Sequence, residues 1–462
     1  MDVTFQRIKV FLAFVPLMMA AGCKTPVACC DPNLVTRQIA CRTSLAMESV
    51  PPCQTRIPAN VLIEDGLSED EAILTALSNN SAFQATLAQL GAAGGDAVQA
   101  TLLANPQFLT YLPSGAKEGQ YTLYAPIESY LLRPTRVKVA NREYRRVGEQ
   151  LVQNGLNLSR DVRLAYTDWV LAKQQADLAL EAEDIRKAIS KLTDDRLKDG
   201  DISELETIAA KVDSLNATAT LGVQRMSINI AEARIATLIG LPQLSQPLVP
   251  GTIPEPTLPV QSEEELVQEA LACRPDLHAA KWAVAAARER SRLSRWLWLR
   301  LDGVLDVRDG RGYNFTGSGL RFDVPIFNRN EGGILRADWE LNGALHNRDA
   351  ISDQIVVDVR TSYRQLLQAY ENLRILKQDV EPALIDALQI AKKGFEDGGS
   401  DYLIVLQTTT QYLTAKGQIL AQQAACNRAV AELERSVGRS LIAPPLAVVE
   451  VLEATSPPAE VN

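Results

Sequence analysis

The sequence predicts a mainly α-helical protein with a small β part, in which one structural plan occurs twice. The segment Leu320–Arg329 alternates apolar and polar side chains up to Pro325 and then gives way to a long helical pattern. The segment Tyr121–Ser129 does the same at Pro126, which stands 199 positions earlier. A strand that leads into a very long helix is therefore predicted in each half of the chain.

The similarity between the halves extends to the turn between their helices. Gly200 corresponds to Gly398 at an offset of 198 positions. Three apolar residues after the first turn have identical counterparts at that offset: Leu205, Leu215 and Ala217 correspond to Leu403, Leu413 and Ala415. Self-similarity at a fixed offset indicates an internal duplication, so the two halves are expected to share one architecture.

Composition places the chain among globular proteins, and its charge argues against one class of partner. Its 462 residues are 46% hydrophobic, which is enough for a large core. The net charge is -9, from 47 basic and 56 acidic residues, and no basic stripe occurs. Nucleic-acid surfaces need a clustered positive field, so no nucleic-acid partner is expected.

The first residues predict export. Arg7 and Lys9 precede an apolar run that is too short to span a bilayer, as in a signal peptide of residues 1–22. The junction before Cys23 resembles the bacterial lipoprotein signal, which makes Cys23 the expected lipidated residue; the alternative is ordinary cleavage nearby. No later run approaches 18 consecutive apolar residues, so any membrane crossing is expected to use strands.

Five of the seven cysteines fall within the first 53 residues: Cys23, Cys29, Cys30, Cys41 and Cys53. Their spacing matches no zinc pattern, and the favoured interpretation is one or two disulfides in a tether, with metal capture as the alternative. Cys273 and Cys426 lie on apolar helical patterns and are expected in the core. No cofactor or metal is expected.

Prolines and glycines divide the chain. The predicted organisation is a signal peptide (1–22), an extended leader (23–66), a first repeat (67–241), a proline-rich linker (242–261), a second repeat (262–440) and a tail (441–462). Each repeat holds a helix, two strands (about 107–126 and 296–325) and a long helical hairpin with its tip near 200 or 398.

Helix starts in the first repeat carry capping-box patterns. Ser68 is followed by Glu71, and Ser203 by Glu206, in each case three residues on. The first helix is expected to continue to Asn105, although three glycines between 91 and 95 weaken its middle. The first long helix is predicted from about Pro134 to Lys198.

The best-patterned strand is predicted from Trp296 to Arg308. Apolar residues occupy one face (Leu297, Leu299, Leu301, Leu305 and Val307) and charged residues the other (Arg300, Asp302, Asp306 and Arg308). This pattern suits a strand between lipid and water, and equally a strand of a soluble sandwich. A long helix from about Gly332 to Glu396 and a last helix from Asp401 to Val437 follow.

Four segments in this order resemble the outer-membrane efflux protein family, the TolC-like channels: Leu271–Ala280, Val324–Arg329 with Gly332, Gly394–Leu406, and Ala431–Gly438. The resemblance implies a homotrimer in the bacterial outer membrane, with twelve strands in one shared barrel and a helical tube across the periplasm. It also implies a periplasmic adaptor and an inner-membrane pump as partners. Pro126 and Pro325 would mark the two junctions from strand to helix.

The hairpin tips hold the candidate functional residues. Asp199, Asp201, Glu396, Asp397 and Asp401 are candidates for a negative aperture around a three-fold axis. The alternative is that these acids cap helices and pair with helix dipoles. The candidate residues for the tip turns and for adaptor contact are Gly200, Gly398, Gly399 and Tyr402.

Two other classes of function compete with a channel. An enzyme is not expected, because the chain has only His278 and His346 and no catalytic motif. A lipid-anchored coiled-coil scaffold without a pore would explain the helices and the anchor, but not the strand with one charged and one apolar face. The favoured hypothesis is a passive trimeric conduit from periplasm to exterior, as the outer-membrane channel of a tripartite efflux or type I secretion system.

Overall fold

The computed structural model describes residues 33–45, 58, 61, 66–112, 119–242, 248–253, 255–309, 314–397, 399 and 402–441. The expected signal peptide, Cys23, Gly398, Asp401 and the tail from 442 onward lie outside these residues. The elements, in chain order, are α1 (Leu34–Thr43), α2 (Glu69–Asn79), α3 (Ser81–Thr101), β1 (Gln107–Tyr111), β2 (Gly119–Pro126), α4 (Ile127–Asp199), α5 (Glu204–Leu238), α6 (Glu263–Cys273), α7 (Pro275–Ser294), β3 (Leu301–Asp309), β4 (Asn314–Phe322), α8 (Glu331–Ile375), a π-helical turn (Leu376–Val380), α9 (Glu381–Glu396) and α10 (Tyr402–Val437).

The capping boxes form as the sequence predicts. At the start of α2, the Ser68 hydroxyl accepts a hydrogen bond from the Glu71 backbone N–H, and the Glu71 carboxylate accepts one from the Ser68 N–H. Ser203 and Glu206 make the same pair of bonds at the start of α5. Local sequence therefore fixes where these helices begin.

The first predicted helix is broken at Asn80, a correction to the sequence analysis. The Asn80 amide donates to the Leu238 carbonyl at 2.9 Å, and its side-chain oxygen accepts from the Phe83 N–H at 3.0 Å. Asn80 thus ends α2 and caps α3. The predicted weak point at Gly91–Gly95 lies within an unbroken α3.

Three predicted boundaries were wrong. The first long helix starts at Ile127, because Pro134 removes one intrahelical hydrogen bond without ending the helix. Residues 296–299 form turns, with the Leu299 N–H donating to the Trp296 carbonyl, so the strand begins at Leu301. The second long helix changes to a π-helical turn just before Pro382, where the missing N–H of proline interrupts the α-helical pattern.

The chain forms two compact units. The first unit comprises the described residues within 92–144 and 288–338. The second comprises the described residues within 33–91, 145–287 and 339–441. The first unit contains all four described strands, in one antiparallel sheet of order β1-β2-β3-β4. The central β2–β3 pairing joins the two repeats.

The second unit is a layer of long helices. On α4, Asp168 accepts hydrogen bonds from Arg428 of α10 at 2.7 Å and from Arg234 of α5 at 3.3 Å, so α4 lies between α5 and α10. Apolar clusters fill the contacts of α10 with α8; one contains Leu373 and the buried Cys426, as expected for that cysteine. Among the helices that the structure describes, none is both long enough and apolar enough to cross a membrane.

Residues 34–43, expected to belong to an extended leader, form α1. A Cβ atom at Gly148 of α4 would lie 3.2 Å from Leu34, and one at Gly155 would lie 2.5 Å from Ile39. The helix therefore fits against α4 only where α4 has glycine. A helix of ten residues depends on such packing more than on its own propensity, which is why the sequence pattern did not reveal it.

Arg42, at the end of α1, is buried with two helix ends. Its Nη1 donates to the carbonyls of Cys273 at 2.6 Å and Gly438 at 3.2 Å, just where α6 and α10 finish. A cation at helix C-termini is electrostatically favourable and satisfies carbonyls that the helices leave unpaired. Arg42 thus fastens α1 to two helix ends of the second repeat.

Two further ionisable side chains are buried in the same region. Glu149 Oε2 lies 3.9 Å from His278 Nδ1, and His278 Nε2 is hydrogen-bonded to the Ala272 carbonyl. Burial raises the pKa of Glu149 to about 7, although the charge of Arg42 opposes this rise. Burial and the charges of Lys281 and Arg42 lower the pKa of His278 to about 4. Both groups therefore favour their neutral forms.

These two groups are expected to cancel in the pH dependence of stability between about pH 4.5 and 6.5. Glu149 keeps its proton up to about pH 7 when folded but loses it near 4.5 when unfolded, so its contribution falls as pH rises. His278 titrates near 6.5 when unfolded and near 4 when folded, so its contribution falls as pH falls. Each effect is at most about 1.4 kcal/mol per pH unit.

Substitution should separate the two effects. Relative to wild type, Glu149→Gln should lose thermal stability as pH falls from 6.5 to 4.5, and His278→Gln should gain it. The measurement is the Tm of the detergent-solubilised protein by circular dichroism across this range. Parallel Tm profiles for the three proteins would contradict this account of the cluster.

Candidate channel surfaces

The sheet of the first unit has one apolar and one polar face. The strand register places these residues on the apolar face: Phe108, Tyr121, Leu123, Leu301, Leu305, Val307, Leu320 and Phe322. The polar face carries Gln120, Thr122, Asp302, Asp306, Arg308 and Arg321. The charged and apolar residues predicted on β3 and β4 are thus separated, but the polar side also carries Val304 and Phe315, and β1 adds Leu109 and Tyr111 to it.

Hydrogen bonds and charges connect the strands across the polar face. Asp306 Oδ1 accepts from the Thr122 hydroxyl at 2.8 Å and from the Gln120 amide at 3.1 Å. The Arg321 guanidinium lies over the Tyr124 ring at 5.3 Å and approaches Asp302 at 3.9 Å. Most polar groups on this face therefore have partners within the sheet.

The two predicted junctions differ. Pro126 is the last residue of β2, and α4 begins at the next residue. Pro325 follows β4, but α8 begins only at Glu331. Between them Asn330 takes a left-handed conformation with φ of 65° and donates from its side-chain amide to the Ser294 carbonyl at 2.7 Å. The second repeat therefore needs a turn where the first needs none.

At the first hairpin tip, α4 ends at Asp199 and Gly200 has a φ of 82°. The Asp201 N–H donates to the Arg196 carbonyl at 3.0 Å, which completes the helix C-cap. Glycine suits this turn because a side chain would strain the left-handed backbone. Asp199 and Asp201 are exposed on either side of it.

At the second tip, α9 ends at Glu396, and the Asp397 N–H donates to the Lys393 carbonyl at 2.9 Å. The Gly399 N–H donates to the Gly394 carbonyl at 2.8 Å. Glu396 and Asp397 are exposed. In the described part of the chain, none of the four acids at the two tips forms an ion pair.

Two contacts that the sequence did not predict connect the tips. The Tyr402 hydroxyl donates to Asp213 of α5 at 2.9 Å, and Tyr402 is itself buried. Arg196 of α4 donates to the Phe395 carbonyl at 3.1 Å, with its guanidinium 4.7 Å from the Phe395 ring centre. Tyr402, predicted as a turn or adaptor residue, thus makes its polar contact within the chain.

The tip contacts rest on a small apolar cluster of residues from three helices: Ala210, Ala391, Phe395, Tyr402 and Val405. Burial and the neighbouring Asp213 carboxylate raise the pKa of Tyr402, so its hydroxyl keeps the proton that it donates. Among the described residues, no three His, Cys, Asp or Glu side chains are placed to hold a metal ion.

Comparisons with known proteins agree with this architecture. Residues 266–439 match the family model for outer membrane efflux proteins. The chain is 25% identical over 443 residues to the cobalt-zinc-cadmium resistance protein CzcC of Cupriavidus metallidurans, covering 92% of this chain and 99% of CzcC.

Solved channel structures show the same fold. The outer-membrane channel OprN superposes with a TM-score of 0.69 at 19% identity, over 81% of this chain and 90% of OprN. The outer membrane protein VceC of Vibrio cholerae gives 0.67 at 17% identity, over 81% of this chain and 96% of VceC. The second repeat thus matches the outer membrane efflux protein family model, and the chain as a whole shares the fold of solved outer-membrane channels.

Proposed function

We propose that this protein is the outer-membrane channel of a tripartite efflux system and exports divalent transition-metal cations. The observation that carries the channel function is the sheet with one apolar and one polar face, continued in the chain by two long helical hairpins. An apolar face toward lipid and a polar face toward water are what a strand-built pore requires. The alternative of a scaffold without a pore leaves this sheet unexplained.

The sheet also supports a homotrimer. Its outer strands β1 and β4 each have one edge without a partner strand in the described chain. Open edges are not tolerated in lipid, and four strands are too few to close. Three copies that pair β4 of one with β1 of the next would form a closed barrel of twelve strands. A lipid on Cys23 would anchor the leader beside it.

The hairpin tips supply the proposed closed end. Asp199, Asp201, Glu396 and Asp397 are exposed, as an aperture facing water requires. Three copies would bring these acids around one axis, where they attract cations and repel one another. The Tyr402–Asp213 and Arg196–Phe395 contacts hold the two hairpins of each copy together and oppose that repulsion.

The substrate class rests on the likeness to CzcC, which is named for cobalt, zinc and cadmium resistance. Exposed carboxylates at the tips suit passing cations, because weak ligands release an ion as readily as they accept it. An inner-membrane pump and a periplasmic adaptor would supply energy and selection. The channel itself would remain a passive conduit without catalysis.

Deletion of the gene should lower tolerance to zinc, cobalt and cadmium in a strain that keeps its pump and adaptor. Wild-type chain supplied in trans should restore growth. The measurement is the minimal inhibitory concentration of each metal, with an organic antibiotic as the comparison. Unchanged metal tolerance together with altered antibiotic tolerance would reject the metal substrate but keep the channel.

Charge on the apolar face of β3 should prevent membrane assembly. Leu305→Arg should destabilise the barrel by about 2–4 kcal/mol if the side chain faces the middle of the bilayer. Val304→Arg is the matched control, because Val304 is the next residue and faces the opposite side. Folded protein in the outer-membrane fraction should fall only for Leu305→Arg, and equal losses would reject the orientation of the sheet.

Loss of the Tyr402 hydroxyl should favour the open channel. Tyr402→Phe removes the bond to Asp213, worth about 1 kcal/mol, and should raise the open-to-closed ratio about fivefold in planar-bilayer recordings. Tyr370→Phe is the control, because Tyr370 packs in an apolar cluster of the same unit. Identical recordings for wild type and Tyr402→Phe would remove this contact from the gate.

A further inference from the structure

The second junction from strand to helix exposes a cluster of apolar side chains. Val324, Ile326 and Phe327 follow the end of β4, and Trp296 and Leu297 lie in the turns between α7 and β3. All five are more than half exposed, and in the described chain almost nothing covers Phe327, which is 98% exposed. These five residues are called the junction patch.

Hydrogen bonds make the junction patch one fixed surface. The Asn330 side-chain amide donates to the Ser294 carbonyl at 2.7 Å, and Ser294 stands two positions before Trp296. Within the turn after β4, Arg329 Nε donates to the Pro325 carbonyl at 3.2 Å. Side chains that are held outward in this way need a partner outside the chain if their apolar surface is to leave water.

The first junction shows what the second one lacks. A Cβ atom at Gly303 would lie 3.4 Å from the Ile127 side chain, and the Glu128 carboxylate accepts a hydrogen bond from the Leu301 N–H at 3.1 Å. The counterparts of these two residues, 199 positions later, are Ile326 and Phe327. The first junction therefore spends its side chains on contacts within the chain, whereas the second turns them outward.

The position of the junction patch points to lipid as its partner. It lies where β3 begins at Leu301 and β4 ends at Phe322, which is the end of the sheet that leads into helices. Val324 continues the alternation of Leu320 and Phe322, two residues of the apolar face. The patch is thus continuous with the face that the proposed channel turns toward the bilayer, at the periplasmic end.

Charged residues border the junction patch. Arg300 is exposed, and its Nε lies 4.0 Å from Asp323, so this ion pair is a loose one. Arg329 is also exposed, and Glu331 accepts a hydrogen bond from its backbone N–H. A guanidinium has five donors in a planar fork that matches a phosphate group. Both arginines can therefore take a phosphate as a further partner.

Apolar and charged side chains next to each other set the depth of the patch. Charged groups are costly among acyl chains, and irregular backbone is not tolerated there when it faces lipid. Tryptophan and phenylalanine together with arginine are typical of segments that lie in the headgroup region. The turn after β4 therefore fits the boundary of the bilayer, with Phe327 toward the acyl chains and the arginines toward the phosphates.

We propose that the junction patch lies in the periplasmic leaflet of the outer membrane and binds an anionic phospholipid, whose phosphate Arg300 and Arg329 hold. The inference rests on the channel of the proposed function and adds a lipid site where the helices leave the membrane. One such site in each copy fixes how far the channel stands out of the bilayer.

Photocross-linking identifies the neighbour of Phe327. The full-length protein with p-benzoyl-phenylalanine in place of Phe327 is reconstituted in vesicles of phosphatidylethanolamine and phosphatidylglycerol and illuminated. Mass spectrometry should find phospholipid joined to position 327. The same substitution at Leu305, on the apolar face, is the positive control, and at Phe315, on the polar face, it should give no lipid adduct.

The control at Leu305 separates this inference from the channel itself. Lipid at Leu305 with a protein cross-link at Phe327 would overturn the inference and keep the channel, because the patch would then face another copy. Lipid at Leu305 with no cross-link at Phe327 would overturn it in favour of water. Absence of lipid at both positions would reject the orientation of the sheet on which the proposed function rests.

The choice of headgroup tests the two arginines. Adducts at position 327 should contain phosphatidylglycerol about fivefold more often than its share of the vesicle, and high salt should remove this preference. Arg300→Gln with Arg329→Gln should also remove it. Arg308→Gln, at the other end of β3, is the matched control and should keep it. Wild-type adducts in proportion to the vesicle composition, or an equal loss in the control, would overturn the phosphate site.

Discussion

The proposed trimer depends on hydrogen bonds that the described part of one copy does not make. The sheet has four strands, and β1 and β4 each leave one edge unpaired in the described structure. An unpaired backbone group costs several kcal/mol in lipid, where water cannot replace the missing partner. The central β2–β3 pairing already joins the two repeats of one chain. In the proposed trimer, other copies would satisfy the remaining edges in the same way.

The long helices are also joined across the two repeats, in this case by side-chain hydrogen bonds. On α4, the Asp168 carboxylate accepts hydrogen bonds from Arg428 of α10 and from Arg234 of α5. One carboxylate therefore links both repeats within the layer of helices. Within the described residues, α5 exposes apolar side chains such as Leu205, Val212 and Leu215. The two repeats differ in detail. In the first repeat, Thr218 of α5 donates a hydrogen bond to Glu183 of α4.

Sequence was sufficient where a structure depends on neighbouring residues. The Ser68–Glu71 capping box, the alternation in β3 and the two hairpin turns follow from local chemistry. Sequence was insufficient where a residue depends on a distant partner. Asn80 breaks a helix because it bonds to a carbonyl 158 positions away, and Arg42 orders the leader through a carbonyl 231 positions away. Neither residue type indicates, from its sequence neighbours, that it will make such a distant contact. The Tyr402–Asp213 hydrogen bond was not predicted for the same reason.

The hairpin tips show how structure refines the idea of an acidic aperture. The exposed carboxylates of a single copy are each solvated by water and cost little to expose. In the proposed trimer their mutual repulsion would begin only when three copies bring them together, so the acids alone would favour an open end. A closed end would therefore need attractive contacts elsewhere, and the proposed ones are the neutral hydroxyl of Tyr402 on Asp213 and the guanidinium of Arg196 on Phe395. On this view the acids select and attract the ion, and the buried contacts behind them set how readily the tip opens.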